Sequence, residues 1–371
     1  KCFSKYIGTK EFYKMVLLVV IPIIIQNGIT NFVSLLDNIM VGQVGTEQMS
    51  GVAIVNQLIV VFNICVFGGV SSAGIFTAQY YGQGNKEGIR NTFRFKFIIC
   101  IIMAVFAMIL FFFAGEELIM LYLHEGTQDG DIAKTLQYGK EYLSVIMVGM
   151  IPYAISQTYA STLRETGETM VPMKIGIAAV LINLVGNFFL IFGNFGAPKL
   201  GAVGAAISTD IARFAECFIL IWWTHRNHER HNFIEEAYRS MRIPKSLTKD
   251  IIKKGIPLLL NEAAWSMGQA FLMQCYSMRG LAVVAGLNIS STVSNLFNVV
   301  FLSMGNAIAI IVGQLLGAGK MEEAKDTDRK LLVFTVATCA VFGSLLAAIS
   351  PFFPKIYNTS AEVQGLATRF I

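Results

Sequence analysis

The stretch AQYYGQGNKEGIRNTFR at residues 78–94 recurs as GQLLGAGKMEEAKDTDR at residues 313–329, 235 positions further along the chain. The same offset holds without a gap between residues 21–94 and 256–329, where 14 of 74 aligned pairs are identical. Composition alone gives about five identities over this length. The chain therefore contains two copies of one structural unit.

The composition indicates whether these units lie in water or in a lipid bilayer. Of 371 residues, 54% are hydrophobic and 14% are charged, whereas soluble domains carry about 25% charged residues. A large soluble protein could not bury this much apolar surface, so we expect an integral membrane protein. The six cysteines show no CxxC spacing and are interpreted as small buried side chains, without a disulfide or metal framework.

Apolar runs predict the membrane spans. A bilayer crossing needs about 20 apolar residues, and nine stretches reach this length, with a tenth beginning near residue 360. The predicted spans are 15–40, 52–80, 95–115, 141–161, 172–193, 201–223, 251–276, 284–314 and 331–350.

Basic residues orient the spans. With the N-terminus in the cytoplasm, the inner segments hold 22 Lys and Arg, the outer segments hold six, and one lies inside a span. This asymmetry follows the positive-inside rule. The net charge of +5 thus faces the cytoplasm, which argues against nucleic-acid binding and predicts a multi-pass protein of the cytoplasmic membrane.

The number of spans in the first copy predicts how the two copies are oriented in the membrane. Residues 1–225 hold six spans, so the second copy starts on the same side as the first, as in parallel repeats of transporters. We expect an all-α membrane fold with an N-terminal lobe at 1–225, a cytoplasmic inter-lobe loop at 226–250 and a partial C-terminal lobe at 251–371. Residue 371 aligns with residue 136, so we expect an incomplete second lobe and a parent of twelve spans in two six-helix lobes.

Two carboxylates inside spans are the first candidate sites. Ionisable groups at membrane depth are costly and are functional by default. Glu262 lies near the middle of span 7, where a lone carboxylate suits a proton, Na⁺ or a cationic substrate; the alternative is a neutral glutamic acid bonded to a neighbouring helix. Asp37 lies in the outer third of span 1 with Asn31 and Ser34, which could line a wet cavity; the alternative is an interfacial aspartate.

Spans 5 and 6 supply further polar residues. Asn183 and Asn187 form a stripe one helical turn long, either as helix–helix contacts or as part of a binding wall. Asp210, Arg213 and Glu216 share one face of span 6, where the arginine can pair with both acids. We favour a self-neutralised structural cluster there. The alternative is a polar network in which Arg213, with Thr209, lines the first-half cavity.

Several enzyme and cofactor classes are disfavoured. The repeated glycines that end spans 2 and 8 are interpreted as helix-ending turns rather than phosphate cradles, and no GxxxxGKS motif is present. The chain has no HExxH and no Ser/His/Asp set, so we expect no enzyme and no cofactor beyond a coupling ion. His225, His228 and His231 complete no metal pattern and predict a solvated loop.

The sequence resembles the multidrug and toxic compound extrusion (MATE) transporters over essentially its whole length. The segments that carry the resemblance are LLDNIMVGQVGT (35–46), AQYYGQGN (78–85), LRETGETMVPM (163–173), GAVGAAIST (201–209) and GQLLGAGK (313–320). The resemblance implies twelve helices in two lobes that rock about a central cavity. It implies export of organic cations and amphipathic compounds in exchange for Na⁺ or H⁺.

By matching position, Asp37 corresponds to the family's acid in span 1 and Glu262 to its acid in span 7, where Na⁺ is a candidate ligand. Asn183 matches an asparagine of span 5. Asn187 stands where one branch has an aspartate, and an amide cannot titrate. This departure argues against that branch's proton mechanism in the first lobe.

We therefore expect a secondary antiporter, monomeric, whose partners are small-molecule substrates and the lipid bilayer. Pro22, Pro152 and Pro257 are expected to kink spans 1, 4 and 7. The main alternative is a flippase for lipid-linked oligosaccharides from the same wider superfamily. That function needs a cationic cavity for a pyrophosphate, and Arg213 is flanked by two acids. A channel or a membrane scaffold is the third interpretation.

Overall fold

The structure is a computed structural model that describes residues 6–123, 132–231, 233–277, 281–356 and 361–371. Within these ranges every regular element is a helix. The helices are α1 (Lys10–Gly42), α2 (Thr46–Gly82), α3 (Lys86–Met120), α4 (Ile132–Ile146), α5 (Met150–Glu165), α6 (Met170–Leu190), α7 (Ala202–Arg226), α8 (Lys245–Ser277), α9 (Leu281–Gly317), α10 (Met321–Ile349) and α11 (Ala361–Phe370).

Each predicted span falls on helical structure. In the described ranges, six helices are long and apolar enough to cross a membrane, and the number becomes seven if the bent pair α4–α5 counts as one crossing. The six are α1, α2, α3, α6, α9 and α10. Length and composition thus support fewer crossings than the nine predicted, because Asp210, Arg213 and Glu216 interrupt the apolar part of α7 and because α8 is less apolar overall.

The predicted span at 141–161 falls on the bent pair α4 and α5. Helices α4 and α5 meet at an angle of 50°, with a break at residues 147–149. Pro152 lies in the first turn of α5, where its missing N–H needs no partner, whereas a continuous helix would bring its ring against the carbonyl of residue 148. The predicted kink at Pro152 is therefore confirmed.

The chain divides into two compact units. One unit contains Lys1–Gly28 and Pro257–Ile371, and the other contains Ile29–Ile256. The predicted lobes were bounded at residues 225 and 251 instead. The compact units differ from that scheme because the first part of α1 groups with the second half of the chain, and α8 changes unit at Pro257. The scheme of two lobes stays a prediction.

The unit Ile29–Ile256 is organised around α2. Its largest apolar cluster joins α2 to α3, α4, α5 and α7, with Val55, Val66, Cys100 and Met150 among its buried members. Gly51 permits the close approach of α2 and α4: a Cβ atom there would lie 2.8 Å from the carbonyl oxygen of Thr135.

The unit of Lys1–Gly28 and Pro257–Ile371 has its own core. The first part of α1 packs on α9 and α10 through Val16, Val20, Met304 and Leu331. Asn27 Nδ2 on α1 donates to Ser303 Oγ on α9 at 3.1 Å, so a polar contact joins two helices of this core.

The repeated sequence gives the same turn twice. After α2, Gly84 has φ 67° and the amide of residue 85 donates to the carbonyl of residue 80 at 2.9 Å. After α9, Gly319 has φ 73° and the amide of residue 320 donates to the carbonyl of residue 315 at 3.1 Å. This six-to-one bond over a left-handed glycine closes a helix end, as the sequence predicts.

Candidate functional site

Four of the predicted site residues meet inside the unit Ile29–Ile256. Asn187 Nδ2 on α6 donates to Asp37 Oδ1 on α1 at 2.6 Å. The same nitrogen lies 3.4 Å from Asn183 Oδ1, and Asn183 Nδ2 donates to Thr209 Oγ1 on α7 at 3.1 Å. A continuous polar row therefore connects α1, α6 and α7.

The middle of this polar row is withdrawn from solvent, and its two ends are less deeply buried. Asn187 is 1% exposed and Asn183 is 7% exposed, whereas Asp37 and Thr209 are half-buried. Asn187 Oδ1 is buried and has no hydrogen-bond partner among the described residues. A buried acceptor without a donor is costly, so this oxygen favours a group that brings positive charge or a proton.

The packing of α6 on α7 positions the row. A Cβ atom on Gly186 would lie 3.1 Å from Ser208 Cβ, so only glycine allows the two helices to approach this closely. Ser208 Oγ donates to the carbonyl oxygen of Asn183 at 2.6 Å. Because Asn183 is thereby fixed against α7, its side chain reaches Thr209.

The chemistry of the row is that of an oxygen-rich cation site. Asp37, Asn183, Asn187 and Thr209 offer a carboxylate, two amide oxygens and a hydroxyl. Such hard oxygen ligands suit ions of the Na⁺ and Ca²⁺ type better than soft metals. A carboxylate can equally hold a proton, so the geometry fits either a proton or a small cation.

The remaining predicted site residues lie elsewhere. Asn31 and Ser34 are exposed on α1, and Ser34 Oγ donates to the carbonyl of Thr30 at 2.9 Å. Glu262 is half-buried on α8 in the other compact unit. The guanidinium carbon of Arg213 lies 5.2 Å from the ring centroid of Tyr153.

The pairing expected within the charged cluster of α7 is not formed. Asp210 Oδ1 and Arg213 Nη1 are buried and have no hydrogen-bond partner among the described residues. Arg213 packs over the Tyr153 ring instead, as a cation–π contact. Both residues lie against the break between α4 and α5, where a Cβ on Gly149 would lie 2.9 Å from Arg213 Cδ. Packing against this break and over Tyr153 therefore takes the place of the expected pairing along α7.

Sequence reasoning missed a buried ion pair. Lys96 on α3 contacts Glu165 at the end of α5, and the Lys96 side chain has no exposed surface. Lys96 lies at the start of the predicted span 95–115, where a basic residue is ordinary. The only sequence signal was its position within FRFKFIIC at residues 93–100, which places a lysine among apolar residues.

The prediction of a solvated histidine loop is wrong for one of its three members. His225 and His228 are exposed, but His231 is 5% exposed. Its ring lies 5.2 Å from Trp223 and 6.2 Å from Phe233 between centroids. Phe233, Ile234 and Ala237 are also buried in an apolar cluster of this unit, so apolar packing covers His231 in spite of the polar residues around it.

Comparison with known proteins gives the family. The model of the MatE family matches residues 22–189 and 257–371, which is most of the chain and both copies of the repeat. The chain belongs to the MATE family of transporters. The predicted family is therefore confirmed, as is the prediction that the chain is not an enzyme, because this is a family of transporters.

Individual MATE relatives cover nearly the whole chain. A probable multidrug resistance protein NorM from Oceanobacillus iheyensis is 26% identical over 98% of this chain and 79% of its own length. A probable NorM from Thermotoga maritima is 24% identical over 95% of this chain and 74% of its own length.

Solved MATE structures share the fold. An outward-facing multidrug resistance MATE transporter of the MOP superfamily matches with a TM-score of 0.85 at 20% identity, over 96% of this chain and 77% of that one. A MOP superfamily transporter from Pyrococcus furiosus, described by a reverse polarity of its binding pocket, matches with a TM-score of 0.83 at 19% identity, over 96% and 76%. These matches confirm the predicted all-α, multi-pass membrane fold class.

Proposed function

We propose that this MATE transporter is a secondary antiporter that exports organic cations and amphipathic compounds in exchange for Na⁺ or H⁺. The relatives named as probable multidrug resistance proteins support the substrate class. The observation that carries the coupling is the 2.6 Å contact of Asn187 Nδ2 with Asp37 Oδ1, at the end of the row that continues through Asn183 to Thr209.

In this proposal the coupling cation binds at Asp37. An arriving Na⁺ would take Asp37 and the amide oxygen of Asn187 as ligands, which gives the buried oxygen a partner. An arriving proton would instead neutralise Asp37 and weaken the bond from Asn187. Either event changes the contact between α1 and α6. A cation that binds one conformation of the transporter more tightly than another shifts the population toward that conformation.

Glu262 is the proposed second coupling site. It lies inside α8, five residues after Pro257. Its position in the repeat is occupied by Asn27 in the first copy, and Asp37 is matched by Leu272. The two acids thus belong to different positions of the repeated unit, so we expect them to differ in ion dependence rather than to act as symmetry mates.

The flippase alternative is less well supported. It requires cations directed at a pyrophosphate, but Lys96 is neutralised by Glu165 and Arg213 packs over Tyr153. The relatives are named as multidrug resistance proteins. Export of organic compounds therefore remains the proposal.

The test is efflux of ethidium from proteoliposomes that contain the full-length protein, driven by a Na⁺ gradient or a pH gradient. Asp37→Asn and Asn187→Leu are expected to slow ion-driven efflux at least tenfold, because each removes an oxygen from the site. Glu117→Gln is the control, since this exposed carboxylate ends α3 outside the row. Wild-type rates in both Asp37→Asn and Asn187→Leu would overturn the assignment.

Glu262 is tested separately. We expect Glu262→Gln to change the dependence of efflux on the ion that drives it while dye binding persists. If Glu262→Gln leaves both gradients as effective as in the wild type, Glu262 is not a coupling site, and the assignment of Asp37 is unaffected.

We further propose that the N-terminus faces the cytoplasm and that the transporter is a monomer. The 22 inner Lys and Arg support the orientation. A membrane-impermeant maleimide should label Lys199→Cys but not Lys249→Cys in intact cells, in a background without native cysteines. Light scattering of the detergent complex should give one chain per particle.

A further inference from the structure

A small pocket lies where the segment after α7 meets the α2–α3 turn and the α5–α6 turn. It has a volume of about 250 Å³ and lies within the unit Ile29–Ile256. Pockets for drug-sized ligands are about 300–1,000 Å³, so this one suits a smaller group. The polar side chains that line it belong to Tyr81, Lys86, Thr166, Glu168, Arg230 and His231.

His231 carries an unsatisfied polar atom at this pocket. The residue is 5% exposed, and its Nε2 is buried without a hydrogen-bond partner among the described residues. A buried nitrogen that is left unpaired destabilises the folded state. Trp223 and Phe233 hold the ring in place, and His231 lines the pocket, so a group bound in the pocket is the candidate partner of this nitrogen.

The charges around the pocket favour an anion. Lys86 and Arg230 face one acid, Glu168, whose carboxylate lies 3.0 Å from Arg230. The Arg230 side chain is 73% exposed, so this pair is weak. Lys86 is the first residue of α3, and a helix N-terminus adds partial positive charge.

The turn between α2 and α3 does not need a basic residue at position 86 in order to fold. In the second copy, the same turn closes with the same pattern of backbone hydrogen bonds, and Met321 stands at the position of Lys86. The turn therefore forms without a cation at this position.

We propose that this pocket binds a phosphate group, through His231 Nε2 as donor and through Lys86 and Arg230 as counter-charges. The phosphate belongs either to an anionic phospholipid headgroup or to free phosphate. The site is independent of the row at Asp37, and its occupancy would brace the turns that join α2 to α3 and α5 to α6.

The protonation of His231 links the site to pH. Burial, and to a lesser extent Arg230, lowers the pKa of His231 below its usual value of 6.5. Lys86 opposes protonation and Glu168 favours it, and Tyr81 is the remaining titratable group at the pocket. A bound anion favours the protonated ring, so by linkage the phosphate group binds more tightly as pH falls toward the lowered pKa of His231.

The test uses the full-length protein purified in detergent, with inorganic phosphate and dioleoylphosphatidylglycerol as probes. The unfolding temperature is measured against probe concentration at pH 6 and pH 8, with chloride at matched ionic strength as reference. We expect saturable stabilisation, and for the phosphatidylglycerol headgroup, whose single charge is the same at both pH values, we expect it to be stronger at pH 6. We expect His231→Phe and Lys86→Met to raise the half-saturating concentration at least tenfold, and Arg239→Gln, an exposed residue of the same segment, to leave it unchanged.

The two probes separate the two sources of phosphate. Stabilisation by inorganic phosphate identifies a site for the free anion, and stabilisation by the lipid alone identifies a headgroup site. Native mass spectrometry should show the probe bound to the wild type and absent from Lys86→Met. If His231→Phe does not fold, Lys86→Met alone tests the proposal. The proposal is overturned if neither probe stabilises the wild type, or if Lys86→Met binds as the wild type does.

Discussion

The Lys96 ammonium on α3 and the Glu165 carboxylate at the end of α5 form an ion pair inside the transporter. The remaining donors of Lys96 reach Ser161 Oγ at 3.2 Å and Thr162 Oγ1 at 3.3 Å, so all three of its protons have acceptors. A Cβ on Gly74 would lie 3.1 Å from Glu165 Cδ, so glycine makes room for the carboxylate. Three helices are thus joined at one charged point.

Breaking this pair should be costly, whereas replacing it should not. Lys96→Met leaves Glu165 buried without its counter-ion, and we expect a loss of about 3–5 kcal/mol in the free energy of unfolding. The double variant Lys96→Met/Glu165→Leu should recover most of that loss, because two apolar side chains need no partner. Thermal unfolding in detergent measures both. Equal losses in the single and double variants would show that packing, not the lone charge, sets the cost.

The sequence predicts those site residues that are unusual within a single helix, because a polar side chain in an apolar run is energetically costly. Asp37 and Asn187 stand out because a polar group in an apolar run requires a reason. Their contact joins residues 150 positions apart, and it depends on how α1 packs on α6. Sequence spacing therefore identified the residues but not the row that they form.

The residues that sequence missed depend on packing between distant segments. Lys96 and Glu165 are 69 positions apart, and each stands at the edge of an apolar run where a charge is ordinary. His231 lies in a polar segment that is buried by aromatic contacts. The 235-residue repeat, in contrast, predicted the turns at Gly84 and Gly319, because a left-handed glycine is a local requirement.

Thr209 tests the end of the polar row that lies on α7. Its hydroxyl accepts from Asn183 at 3.1 Å and donates to the carbonyl of Ala205 at 2.9 Å. Thr209→Val keeps the shape but removes the oxygen, and the loss of one hydrogen bond of about 1 kcal/mol corresponds to about fivefold in affinity. We expect the half-saturating Na⁺ or H⁺ concentration for ethidium efflux to rise by that factor. Thr209→Ser keeps the oxygen and should match the wild type; equal behaviour of the two variants would contradict the role.

Gly51 tests the close approach of α2 and α4. Its Cβ would lie 2.8 Å from the Thr135 carbonyl oxygen and 2.9 Å from the Gly139 nitrogen. Because both are backbone atoms, Gly51→Ala must separate the helices, and we expect a loss of about 1–3 kcal/mol. Gly305→Ala is the control: nothing lies within 4 Å of its Cβ position in α9, so the substitution should be neutral or stabilising. Unfolding temperatures that fall equally in both variants would refute the steric argument.

Arg94 holds the segment after α7 against α3. Its Nε donates to the Ala237 carbonyl at 2.7 Å, and its Nη2 donates to the Glu236 carbonyl, also at 2.7 Å. Hydrogen bonds from charged donors contribute about 1.5–3 kcal/mol each, so Arg94→Gln should raise the open population of this segment more than tenfold. Trypsin reports the opening, because Arg239 follows directly and is 79% exposed.

The control for Arg94 is its counterpart in the repeat. Arg329 occupies the same position in the second copy but is exposed, so Arg329→Gln should leave the cleavage rate after Arg239 unchanged. Arg94→Lys should fall between the wild type and Arg94→Gln, because one ammonium cannot reproduce the two directed bonds of the guanidinium. If cleavage in Arg94→Gln stays at the wild-type rate, the aromatic contacts of Phe233 and Tyr238 with Phe93 hold the segment without Arg94.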